Sequence, residues 1–131
     1  MVLLACLMAA NVALWLYWPP DRMVSHEVRL SGPYLHDAGH AFVADMPVVL
    51  PSDGLGSENS RLELYEQGTE RGIPHTTHDV IRSRGTGGFS HWGDRVYFSA
   101  SDNSDPNMNG RTYVLRYGTT LPVVLYIALL L

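Results

Sequence analysis

The sequence predicts a mainly β fold: a small antiparallel sandwich or jelly-roll-like domain behind an N-terminal transmembrane helix. Three observations carry this expectation. Residues 1–18 contain no Asp, Glu, Lys, Arg or His. Arg61–Glu66, Asp94–Ala100 and Arg111–Tyr117 alternate polar with apolar residues or concentrate aromatic and β-branched types, as strands do. Clusters of Gly, Pro, Asn, Asp and Ser separate these runs at intervals too short for long helices.

The apolar start sets the first boundary. A helix needs about 20 apolar residues to cross a bilayer, and about 17 at the low end. Residues 1–18 reach that limit before Pro19-Pro20, where proline removes a backbone donor and stops a helix. Trp15, Tyr17 and Trp18 sit just ahead of the stop, and such side chains favour the membrane interface. The segment lacks a basic beginning and a small-residue cleavage site, so an uncleaved anchor over residues 1–20 is expected rather than a signal peptide. Arg22 and Arg29 follow the span and on charge alone would hold the next loop inside. That rule weakens for loops beyond about 60 residues. Residues 21–118 are therefore expected to form a β-rich extracytoplasmic domain.

Residues 119–131 form a second apolar segment. As a helix its last eleven residues would reach about 16 Å, half the hydrocarbon thickness. Two readings stand: a truncated transmembrane helix leading into the membrane region of a longer parent protein, or a last buried element of the domain.

The net charge of −4 opposes nucleic-acid binding, which requires a basic face to neutralise phosphates. All nine basic side chains are Arg and none is Lys. The bias fits a GC-rich coding sequence, and it also fits bidentate recognition of carboxylate or phosphate. The single cysteine, Cys6, lies in the N-terminal run, which removes any intramolecular disulfide and any cysteine-based zinc site. Leu3-Leu4-Ala5-Cys6 resembles a lipidation box but stands too early in the chain for one.

Within the middle region, Ser25–Leu30 alternates weakly, and Phe42–Leu50 is an apolar run broken by Asp45 and Pro47. Residues 51–57 are turn-forming. Arg61–Glu66 places Leu62 and Leu64 on one face, and Gln67-Gly68 is a turn. Thr76–Ser83 reads as a short helix with Thr77 or Asp79 as its N-cap. The glycine cluster at 84–88 lacks the Lys-Ser/Thr ending of a phosphate-binding loop. A polar loop, Ser101–Gly110, separates the last two strands.

Three constellations carry possible chemistry. Asp105, Asn107, Asn109 and Gly110 match the first half of a calcium loop, whose hard oxygen ligands recur at that spacing. The twelfth position holds Arg116 instead of Glu, and a hairpin loop of Asx-turns is the competing reading. His75, His78 and Asp79 offer a transition-metal set, and His36 with His40 a spacing suited to one helical face, which Gly39 interrupts. Trp92 with Tyr97, Tyr113 and Arg111 suggests a sugar-stacking platform, with Asp102 and Asp105 supplying hydroxyl acceptors; the alternative buries Trp92 in the core. No Gly-x-Ser-x-Gly elbow surrounds any serine, and no catalytic residue is assigned.

The run Gly88-Phe89-Ser90-His91-Trp92-Gly93, then Val96–Pro106, then Asn109-Gly110-Arg111-Thr112-Tyr113, resembles a segment of bacterial cell-surface and glycan-related membrane proteins. Asn59–Leu62 and His78–Ile81 belong to the same resemblance, which spans roughly residues 50–117. It implies a non-catalytic accessory module that binds or positions a glycan or protein partner in envelope polysaccharide metabolism. A metal-dependent hydrolase, and a ligand-free structural domain between membrane spans, are the alternatives.

Overall fold

The computed structural model describes residues 23–70 and 72–120. The expected anchor and most of the C-terminal apolar segment lie outside the described residues. Among those described, no helix is long and apolar enough to cross a membrane. The chain divides into a compact unit, His26–Tyr117, and a unit made of Met1–Ser25 with Gly118–Leu131. Of the second unit only residues 23–25 and 118–120 are described, as the first residues of one strand and the last of another.

Eight strands and one helix follow in order: β1 (Met23–Arg29), β2 (Leu35–Ala38), β3 (Ala41–Asp45), β4 (Glu63–Glu66), β5 (Thr69–Glu70), α1 (His78–Ser83), β6 (Phe89–Trp92), β7 (Arg95–Phe98) and β8 (Tyr113–Thr120). They make two four-stranded sheets, β1-β8-β4-β5 and β2-β3-β7-β6. β4 runs antiparallel to β5 and β8, and β3 runs antiparallel to β2 and β7. The strand period of two then decides what faces inward. Leu64 lies opposite Leu115, and Glu66 opposite Tyr113, so all four share the buried face of the first sheet. Phe42, Ala44, Phe89, Val96 and Phe98 answer them from the second. The two layers join through aromatic contacts. The Phe98 ring lies 5.1 Å from that of Tyr113, and Tyr34 meets both edge-on at 5.1 and 5.8 Å. The sandwich-like part of the expectation holds.

Local chemistry explains the turns. Gln67 and Gly68 both take left-handed backbone, φ 54° and 74°, as a two-residue hairpin between twisted strands requires. β2 and β3 form a hairpin through Gly39 and His40, which replaces the helical face considered for His36 and His40. Helix α1 begins after Thr77, one of the two expected caps, although the Thr77 side chain makes no capping hydrogen bond. It contacts β3, β6 and β7 and buries Ile81 completely.

Gly39 locks this helix to the hairpin. The His40 amide donates to the Arg82 carbonyl at 3.0 Å, and a Cβ added at Gly39 would overlap that carbonyl. Gly39 also has φ +55°. Gly39→Ala is expected to destabilise by about 1–3 kcal/mol, from strain and displaced backbone together. An unchanged urea midpoint would show that the contact is dispensable.

Candidate functional site

A groove of about 930 Å³ opens on the outer face of the second sheet. That volume lies within the range of small-molecule sites, about 300–1,000 Å³. Its floor follows from strand alternation. Phe89 and His91 point inward, so Ser90 and Trp92 point outward, beside Tyr97 of β7. α1 contributes His78, Asp79 and Arg82, and residues 53–58 supply the opposite lining. The Asp53 amide ties that loop to β6 by donating to the His91 carbonyl at 2.8 Å.

The aromatic side chains are ordered around His78. Its ring stacks on Tyr97 at 3.9 Å and meets Trp92 edge-on at 5.5 Å. Burial, and then the neighbouring Arg82 guanidinium, push the His78 pKa below the ordinary histidine value, so the imidazole is neutral at pH 7. Trp92 stays 41% exposed. An indole this exposed on the outer face of a strand is a surface for stacking rather than a core side chain.

Three buried polar side-chain atoms have no hydrogen-bond partner among the described residues: Asp53 Oδ2, His78 Nε2 and Ser90 Oγ. All three residues line this groove. Leaving such an atom unpaired costs about 1–3 kcal/mol, which sets these three residues apart from the rest of the described polar side chains. The other half of the Asp53 carboxylate is occupied. Its Oδ1 accepts from the Ser60 amide and from His75 Nδ1, both at 3.0 Å. His75 follows Pro74 with φ 54°, as a residue does in a type II turn. Ser60 reaches His91 at 3.3 Å, and His91 Nε2 donates to the Gly93 carbonyl at 2.9 Å. The inward histidine of β6 is thus fully used in fixing the groove's floor to its wall.

The other expected contacts do not gather around Trp92. Tyr113 is 1% exposed in the core, where its hydroxyl accepts from Asn109 Nδ2 at 2.8 Å. Arg111 donates through Nη1 to Glu66 Oε1 at 2.5 Å, and through Nη1 and Nη2 to the two Asp102 oxygens. Both of its carboxylate partners belong to the domain, so the guanidinium is spent on the fold. Alternation turned Tyr113 inward, and the buried Glu66 drew Arg111 to it.

The expected calcium ligands are likewise engaged. Asp105 Oδ1 accepts the Asn107 amide at 2.8 Å, an Asx-turn. Asn107 pairs with both backbone groups of Tyr34, accepting at 2.7 Å and donating at 3.0 Å. Asn109 Oδ1 accepts from the Arg111 amide at 3.0 Å. This loop clamps the segment after β1. His75, His78 and Asp79 line one groove but turn to different partners: Asp53, Tyr97 and Arg82. Among the described residues no three His, Cys, Asp or Glu side chains converge as a metal site. In the glycine cluster, the Thr86 amide donates to Asn103 and the Gly87 amide to Ser99, so these donors are not free to cradle a phosphate.

No family model, no curated protein and no solved structure matches this chain. The reading of the groove therefore rests on its own chemistry. Reasoning from sequence singled out Trp92 for stacking and His78 for a metal, both of which line the groove, but placed Asp53 only in a turn. No local signal distinguishes a loop aspartate that folds back onto a strand edge.

Proposed function

We propose that the domain is a glycan-binding accessory module, anchored in the membrane by residues 1–20 and presented on the extracytoplasmic side of a bacterial envelope. The observation that carries the reading is that Asp53, His78 and Ser90, each with an unpartnered buried polar atom among the described residues, line one groove with the exposed Trp92. A pyranose ring presents both complements, an apolar C–H face for the indole and hydroxyls that donate and accept. In this reading Trp92 stacks the sugar, and Asp53, His78 and Ser90 fix its orientation. The Asp102–Arg111 pair serves the fold and not the groove.

Trp92→Ala tests this directly. The variant is expected to retain the wild-type unfolding midpoint and to lose at least about tenfold in affinity for envelope polysaccharide, the loss of one stacking contact. Retained binding with an intact fold would remove Trp92 from the site. Protease protection of residues 21–118 in a bacterial membrane tests the side of presentation, and a domain protected from outside would rule out envelope glycans as ligands.

A further inference from the structure

Resting on the glycan reading, we infer that the groove takes an uncharged sugar unit and turns away units bearing uronate, sulfate or phosphate. The Asp53 side chain is 8% exposed and lines the groove, and its buried Oδ2 has no hydrogen-bond donor among the described residues. A carboxylate oxygen accepts, so a ligand that pairs with it brings a hydroxyl or another N–H or O–H group. Ser90 Oγ accepts or donates, and so does the neutral His78 imidazole, which suits hydroxyls of either role.

The lining also carries Glu58 and Asp79. Among the described residues its one guanidinium, Arg82, already donates to Asp37 at 2.7 Å and to Asp79 at 3.1 Å. His78 adds no positive charge at neutral pH, because burial against Tyr97 and Trp92 favours its neutral form. His75 Nδ1 is already turned to the Asp53 carboxylate at 3.0 Å. An anionic sugar would therefore meet carboxylates with no free cation among the described residues to compensate them, which is how like charge excludes a wrong partner.

The test uses one polysaccharide in two charge states: a uronate-containing envelope polysaccharide, and the same material after chemical reduction of its carboxyl groups to alcohols. Binding to the full chain, held in a detergent without a sugar headgroup, is measured by isothermal titration. The reduced form is expected to bind at least about tenfold more tightly, the effect of one charged contact. Asp53→Asn keeps an oxygen for the Ser60 amide and offers an N–H in place of Oδ2, and is expected to narrow the ratio. Glu58→Gln, in the adjoining loop, is expected to narrow it independently should Asp53→Asn unfold. Equal or tighter binding of the acidic form overturns the inference and leaves the glycan reading standing. A ratio unmoved by both substitutions overturns it too. Failure of both forms to bind removes the glycan reading itself.

Discussion

Tyr113→Ala is expected to lower the unfolding free energy by about 3–5 kcal/mol, as truncation of a fully buried aromatic side chain does. Tyr113 is 1% exposed, and its ring is the point where β8 of one sheet meets Phe98 of the other. Removing it opens a cavity between the layers and takes away the Tyr34 edge contact. It also leaves Asn109 Nδ2 without one of its two acceptors. Such a loss is a large share of the 5–15 kcal/mol typical of a whole domain. Urea unfolding followed by tryptophan fluorescence measures it. A variant within about 0.5 kcal/mol of wild type would mean that Tyr113 is peripheral. Trp92→Ala provides the contrast, since Trp92 stands on the outer face of β6 and removing it opens no internal cavity.

Glu66 is expected to give the domain an acid-sensitive stability. Its side chain is 6% exposed on the inner face of β4. Burial raises its pKa, but hydrogen bonds from Arg111 and from the Ser101 amide outweigh burial, and the net shift is downward. Hydrogen bonds from Arg111 and then Ser104 hold Asp102 well below the usual carboxylate range. A carboxylate whose folded pKa is depressed stabilises the fold above its unfolded pKa and loses that contribution as pH falls through the folded one. For Glu66 the contribution is present above about pH 4.5, its ordinary value, and fades below it. Glu66→Gln is expected to cost about 1–2 kcal/mol at pH 7; charge-assisted hydrogen bonds give about 1.5–3, reduced here because Arg111 is partly open to solvent. It should also flatten the acid limb of stability against pH. Urea midpoints between pH 7 and pH 3 check both, and an acid limb as steep as wild type would assign the pH dependence to other groups.

The legible parts of the fold were those with local causes. Arg61–Glu66 alternates cleanly, so its Leu62 and Leu64 face was readable, and the same period carries Glu66 inward. Gln67-Gly68 announced its turn, and Thr77 its helix start. β2 and β6 were less legible. Leu35–Ala38 is exposed at every position and shows no apolar alternation. Phe89–Trp92 mixes inward Phe89 and His91 with outward Ser90 and Trp92, and histidine hides the buried face from a hydropathy reading. The calcium-like loop read two ways for a physical reason: Asp and Asn at alternate positions serve Asx-turns as well as they serve a cation.

The sequence by itself determined the strand-rich character of the middle region, the main turns and the short helix, because period-two alternation and turn chemistry act between neighbours in the chain. Tertiary structure alone decided which polar side chains meet. Packing placed Tyr113 between the sheets and committed Arg111 to Glu66 and Asp102. Folding of the 53–58 loop over the edge of β6, opposite α1, brought Asp53, His78 and Ser90 to one groove beside Trp92. These residues are 12 to 37 positions apart, and their meeting depends on strand pairing and on which face of a sheet stays uncovered, neither of which any short stretch of sequence encodes.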